Sequence, residues 1–300
     1  MEESRKEISG FYNKNYKRLL IIPVILLILA AVQIGAQYYK TGDFINKGIS
    51  LTGGIGIEVQ SQFSDILSLQ VHLKQTFSGE DFDIQTISKA GRQKSFIVEA
   101  SRNVNDEELK KEIRSFLISK DPEFVDHEFR AKEISGEFAT GFFRTTIIAV
   151  LIAFVFMAIV VKLYFKLLIP SLAVVLAAFS DIVITIAIFN IAGLKLAPGS
   201  IAAFLMLIGY SVDTDILLST KALKEKSGTL NERMFGAFKT GLVMSMTTIT
   251  AVAVAYYFSQ ADILKQIMTV LFIGLNVDII NTWIQNTAIL KWYIEKKERA

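Results

Sequence analysis

The chain contains no cysteine, only two histidines and almost no excess of charge of either sign. Without thiols there are no disulfides and no thiolate metal sites. His72 and His127 lie far apart in a polar stretch, so neither a metal centre nor a cofactor is expected. A net charge of +3 over 300 residues, with the basic residues gathered at the ends of apolar blocks, leaves little for nucleic acid to bind. What the chain has in excess is apolar. Hydrophobic residues make up 52% of it, concentrated in blocks rather than spaced as a soluble core requires. That distribution marks an integral membrane protein whose first partner is the lipid bilayer.

A hydrocarbon core about 30 Å thick takes roughly 20 apolar residues in a helix. Six runs meet this: 18–39, 143–163, 167–190, 199–220, 240–258 and 266–290, read as TM1 to TM6. The first is preceded by Arg5, Lys6, Lys14, Lys17 and Arg18, as a secretory signal would be. It is longer than a signal's apolar region, however, and ends at Tyr38-Tyr39, an aromatic anchor for the far interface, so it is read as a span. Lysine and arginine near span ends set orientation. Residues 1–18, 162–166, 221–239 and 291–300 hold five, two, five and four of them, against Lys195 and Lys265 on the other side. This predicts a multi-pass protein of the cytoplasmic membrane. Segment 1–17, loop 221–239 and tail 291–300 are then cytoplasmic, and residues 40–142 external.

The external stretch is too long for a simple loop and reads as a domain. Ile55 to Gln60 and Phe82 to Ile87 alternate as strands, with Ser64 capping a helix that reaches Phe77. Ala90-Gly91-Arg92 reads as a turn and Ser95 to Glu99 as a strand. Asn105 caps a helix from Asp106 to Lys120, Pro122 breaks the chain, and Glu123 to Ile134 is a last strand. The fold class is therefore a six-helix membrane bundle with an inserted α+β domain of order βαββαβ, the ferredoxin-like split unit.

Four acidic residues fall inside spans: Asp181, Asp213, Asp215 and Asp278. An ionised carboxylate at the bilayer centre costs at least about 2.5 kcal/mol, so its presence points to ion or proton movement. Asp213 is eight residues from Lys221, roughly 12 Å deep, whereas Asp181 and Asp278 lie roughly 20 Å from the lysines at their span ends. Asp213 and Asp215 are about 200° apart around a helix and cannot share a face. Gly209, one turn before Asp213, would admit a neighbouring helix, which predicts Asp213 inside the bundle. Thr247 and Thr248 reach the same depth and Lys239 enters the same span, which completes a proton-coupling set of Asp213, Asp215, Lys239, Thr247 and Thr248. Asp181 and Asp278 are secondary candidates, and Asn276 and Asn281 read as helix-association residues.

One span, a domain of about 100 residues and five further spans resembles the SecF family of protein-export membrane subunits. After the first span, Gly48-Ile-Ser-Leu-Thr-Gly53-Gly54 is similar to the family's Gly-Ile-Asp-Phe-Thr-Gly-Gly, with Ser50 at the acidic position. In TM4, Gly209-Tyr210-Ser211-Val-Asp-Thr-Asp215 is similar to Gly-Tyr-Ser-x-Asn-Asp-Thr, and Val212 to Asp215 also matches a Val-Asp-Ala-Asn pattern of the sister subunit SecD. That second alignment favours Asp213 as the coupling aspartate. Phe238-Lys239-Thr240-Gly241 stands where the family opens TM5 with arginine, ahead of Met244 to Thr248. The resemblance implies a non-enzymatic accessory subunit of archaeal type. It would pair with SecD, serve the SecYE translocon and use the proton gradient to promote passage of an exported polypeptide. The alternative is half of a proton-coupled efflux transporter of the RND type, built on the same kind of bundle.

Overall fold

Lipid offers the backbone no hydrogen-bond partner, so apolar runs must satisfy themselves as helices. The computed structural model describes residues 14–61, 63, 65–89, 92–120, 129–134, 136–259 and 261–299. Among them, six helices are long and apolar enough to cross a membrane. We number the elements in chain order. Helix α1 (Ile21–Thr41) leads to a short α2 (Ile49–Thr52). The domain follows as β1 (Gly54–Val59), α3 (Ile66–Thr76), β2 (Phe82–Lys89), β3 (Arg92–Ser101), α4 (Asp106–Lys120) and β4 (Phe129–Ile134). The chain then returns as α5 (Gly136–Phe165), α6 (Leu168–Ile191), α7 (Pro198–Leu223), α8 (Leu230–Phe258) and α9 (Asp262–Ile280). A π-helical turn (Asn281–Asn286) joins α9 to α10 (Thr287–Arg299).

Helices α6 and α7 are the most enclosed spans, whereas α1 and α5 turn Leu29, Val32, Phe156 and Leu163 outward. The packing is close enough that a side chain at Gly274 of α9 would overlap Leu207 of α7, and one at Gly241 of α8 would overlap Trp283. Both glycines therefore let helix surfaces meet at van der Waals range.

The domain sheet is antiparallel in the order β2-β3-β1-β4. Strand alternation sends Ile57, Phe82, Phe96 and Val98 to one face, where α3 and α4 cover them with Leu69, Leu73, Leu109 and Ile113, all 1% exposed or less. Asn105 Oδ1 accepts from the backbone N–H groups of Glu107 and Glu108, and Asp65 Oδ1 from that of Ser68. These contacts fix the start of each helix. The edge strand β2 is tied by side chains at two places. Gln70 Nε2 donates to Phe82 O at 3.0 Å, and the Thr86 N–H donates to Asp262 Oδ2 at 2.6 Å. The register of β2 shifts just beyond, at Ile87/Ser88.

The opposite face carries Asp83 directly across from Glu99, with the Ser50 hydroxyl donating to Glu99 Oε2 at 3.0 Å. Burial pushes both carboxyls above their ordinary range; Asp83's charge adds to the effect on Glu99, while Lys195 opposes it at Asp83. A raised folded-state value means that the unfolded chain loses its proton first. Stability therefore falls as pH rises from the ordinary carboxyl range through the folded value. Glu99→Gln keeps an acceptor for Ser50 and removes the charge. It is expected to flatten that slope and raise the melting temperature at pH 8 relative to the parent, measured by thermal unfolding across pH 4–8.

The domain is fastened to the bundle by named contacts. Besides the Thr86 backbone, the Thr86 hydroxyl donates to Asp262 at the start of α9 at 3.0 Å, and Lys195 pairs with Asp81 at 2.8 Å. The Gly48 N–H donates to Leu196 O at 2.8 Å, and the Leu196 N–H to Asn46 O at 2.7 Å. Residues 46–48 thus lie along the α6–α7 connection.

Several expected boundaries differ. The helices run past the apolar runs: α5 begins at Gly136, and α10 reaches Arg299 through the expected tail. Within 221–239, only 224–229 separates α7 from α8, because Thr229 and Glu232 form a reciprocal cap that starts α8 ahead of its apolar part. Strand β4 is described from Phe129. Ser64, Ala90-Gly91, Pro122 and His127 lie outside the described residues. His72 pairs with Glu112 at 2.7 Å beside Phe116, a surface contact between α3 and α4.

Candidate functional site: a carboxyl cluster inside the bundle

Three helices each bring one carboxyl to the same buried place. Asp181 of α6, Asp215 of α7 and Asp278 of α9 are 0%, 0% and 1% exposed. Asp181 accepts from Ser211 Oγ at 2.5 Å and from Asn281 Nδ2 at 2.7 Å. Asp215 Oδ1 accepts from Asn286 Nδ2 at 2.7 Å. Thr282 Oγ1 lies 3.0 Å from Asp215 Oδ1 and 3.1 Å from Asp278 Oδ1. Its single hydrogen can serve only one of them at a time. Thr214 Oγ1 stands 3.4 Å from Asp278 Oδ2 and also bonds Ser211 O at 2.9 Å. Ser211 and Thr214, three residues apart on α7, thus link Asp181 to Asp278.

The local sequence explains the convergence. On α7, Ser211, Asp215, Leu218, Ser219 and Ala222 recur at helical spacing and are all buried. After Asp278, the π-helical turn widens the helix and keeps five of its six residues, Asn281, Thr282, Trp283, Gln285 and Asn286, on the inside. The hydroxyl of Thr287 bonds Thr282 O at 2.9 Å, five residues back. Such turns recur at functional sites because they re-aim side chains without ending the helix.

Among the described residues, no salt bridge reaches any of the three aspartates. Three buried carboxyls without a basic partner cannot all carry charge, because an uncompensated buried charge costs several kcal/mol. Protons or a bound cation must supply the balance, so the cluster is suited to taking up and releasing positive charge. Among the described residues, no group of three or more histidine, cysteine or acidic side chains is placed to hold a metal ion.

The expected placement of Asp213 is reversed. Asp213 lies on the outer surface of the bundle and Asp215 occupies the interior. The half-turn between them is as expected, but the phase is set by the Ser211–Asp215–Ser219 stripe rather than by Gly209, which has open space beside it. Tyr210 and Lys239 are likewise exposed, while Ser211 is fully buried against Asp181. Thr247 and Thr248 do not bond Asp213, since their hydroxyls return to Val243 O and Met244 O of their own helix. Asn276 is exposed and bonds Phe272 O. The polar spacing Asp278–Thr282–Asn286, every fourth residue, was present in the sequence and marks the site more directly than any single aspartate. Gly53 has a φ of 84°, in the range that favours glycine, and Gly54 opens β1 against the Ala100 carbonyl.

Residues 118–296 match the family model described as protein export membrane protein SecD/SecF, C-terminal. The chain is 38% identical to the protein-export membrane protein SecF of Pyrococcus furiosus, over 94% of this chain and 92% of that one. It is equally similar, at 38%, to the SecF of Methanocaldococcus jannaschii, over 94% and 96%. This chain belongs to the SecF family. Among solved structures it resembles SecDF, a translocon-associated membrane protein from Thermus thermophilus. The TM-score is 0.67 at 17% identity, with 94% of this chain covered and 38% of that longer one. With six described helices long and apolar enough to cross a membrane and relatives that are membrane proteins, the SecF chain is a multi-pass membrane protein.

Proposed function

We propose that this SecF-family chain is an accessory subunit of the Sec protein-export machinery that promotes polypeptide translocation by drawing on the proton gradient. The observation that carries the coupling is the Asp181–Asp215–Asp278 cluster, buried and, among the described residues, without a salt-bridge partner. The names of the relatives support the export role, and neither of the two SecF relatives above points to the efflux alternative. In this reading both termini are cytoplasmic, as the basic residues at the span ends favour, and residues 40–142 are external. SecD supplies a second bundle against the α7–α8 surface that bears Tyr210, Asp213, Lys239 and Thr247, while SecYE and the exported polypeptide are the further partners. Asp213 and Lys239 then act at that shared surface.

Helix α9 connects the two regions. It carries Asp278 in the cluster and Asp262 at the edge of the sheet, so a change of packing around one is transmitted to the other through a continuous helix. The decisive experiment uses vesicles that contain the SecD–SecF complex and the translocon. Collapse of the proton gradient with a protonophore is expected to lower the release of exported polypeptide to the level of vesicles without this chain. Stimulation that survives the collapse rejects proton coupling.

A further inference from the structure

At the end of the bundle where the basic residues gather, the helical segment over residues 14–19 lies against α10. Tyr16 is the fastener: its hydroxyl donates to Glu295 Oε2 at 2.8 Å, and Lys291 Nζ stands 5.0 Å from its ring centre. A groove of about 290 Å³ opens beside this contact, lined by Tyr16, Lys17, Leu20, Ala288, Ile289 and Trp292. Helical spacing explains the lining. Lys17 and Leu20 are three residues apart and Ala288 and Trp292 four, so each pair shares a face. Lys296 stands one turn beyond Trp292, with its ammonium 5.2 Å from the indole ring.

The charges at this groove do not cancel. Glu295 is occupied by the Tyr16 hydroxyl at one oxygen, and Lys291 lies 3.9 Å from the other. Lys291 itself is 3% exposed and donates to Asn231 Oδ1 at 3.2 Å, so it is already engaged. Lys17 and Lys296 are exposed, and among the described residues neither forms a salt bridge. The groove therefore joins an apolar wall of Leu20, Ala288, Ile289 and Trp292 to two uncompensated ammonium groups. It lies where an apolar span meets its basic flank, the level at which tryptophan sits among head groups and lysine stems reach for the polar layer. A free anion would match the ammonium groups and leave the wall wet, whereas a neutral lipid would match the wall alone.

We propose that this groove binds a single anionic phospholipid, with its phosphate held by Lys17 and Lys296 and an acyl chain laid along Leu20, Ile289 and Trp292. Basic pockets between spans hold anionic head groups through this combination of charge and apolar contact. The lipid bridges the start of the first span and the end of the last, beside the Tyr16–Glu295 bond that already ties them. The site goes beyond the export role and needs neither SecD nor a proton gradient, so it is tested on the chain by itself.

The purified full-length chain is reconstituted in phosphatidylcholine vesicles that hold a minor fraction of phosphatidylglycerol, and one of the two lipids carries bromine on its acyl chains. Bromine quenches the fluorescence of an indole that it touches. The chain has two tryptophans: Trp283 is packed inside the bundle and Trp292 lines the groove. Brominated phosphatidylglycerol is expected to quench more strongly than the same fraction of brominated phosphatidylcholine, and Trp292→Phe to remove that difference. A lysine near the membrane surface contributes about fivefold to the binding of anionic lipid, so Lys17→Gln with Lys296→Gln is expected to bring the two lipids level. Lys162→Gln with Lys226→Gln removes the same charge away from the groove and is expected to leave the preference intact. All four lysines are exposed, so the melting of both double variants is expected to track the parent. Equal quenching by the two lipids, or a preference that survives the Lys17 and Lys296 replacements, overturns the site. An equal loss with the Lys162 and Lys226 replacements overturns it in favour of diffuse surface charge. Loss of the preference when inorganic phosphate is added at constant ionic strength overturns the lipid as occupant.

Discussion

Asp278→Asn is expected to bring export down to the level seen with the proton gradient collapsed, a loss of about tenfold, equivalent to about 1.4 kcal/mol of drive. Asparagine has nearly the size of aspartate and keeps an oxygen that can accept from Thr282 and Thr214, so the bundle should still assemble. It cannot gain or lose a proton, so the buried cluster loses one of its three carboxyls. The measurement is gradient-dependent release of an exported chain from vesicles, with expression and complex formation checked alongside. Undiminished stimulation would remove Asp278 from the mechanism. Asp213→Asn in the same assay tests a different surface, because that side chain is directed away from this bundle. Its effect should appear in association with SecD as well as in export.

The second large effect is structural. Gly54→Val is expected to cost the extramembrane domain about 3 kcal/mol, near the upper end of ordinary overpacking. A Cβ there would overlap the backbone carbonyl of Ala100 in β3 and the side chain of Ile49. The carbonyl belongs to the sheet and has little room to retreat. Gly54 also pairs with Ser101 on one side and Ile134 on the other, so displacement of β1 disturbs both neighbours. Limited proteolysis should show cleavage within residues 54–134 while the helical bundle stays protected. A protease-resistant domain with unchanged melting would refute the steric account.

The six spans were legible because each is a continuous apolar run, and the order of the domain because its strands alternate and Asn105 caps a helix. The ends of the spans were less so. Leu230 to Lys239 is helical through a reciprocal cap and packing against neighbouring helices, neither of which hydropathy registers. The site was half legible. The aspartates stood out, but their phase was assigned from Gly209, a residue that touches nothing within 4 Å of its Cβ position. The better guide was the serine and threonine accompaniment of Asp215, which puts polar atoms on one stripe. The π-helical turn had no signature of its own, because Asn281–Asn286 become inward-facing through a register change and not through composition.

The ties along β2 matter for the company this domain keeps. An edge strand with free N–H and C=O groups is a template on which another extended chain can grow. Here one outward carbonyl is taken by Gln70, one outward N–H by Asp262, and the register shift at Ile87/Ser88 twists the end of the strand. The domain is thereby guarded on this side against being recruited into cross-strand aggregates. The same carboxylate that fastens the domain to α9 also keeps an extended chain from adding there as a fifth strand.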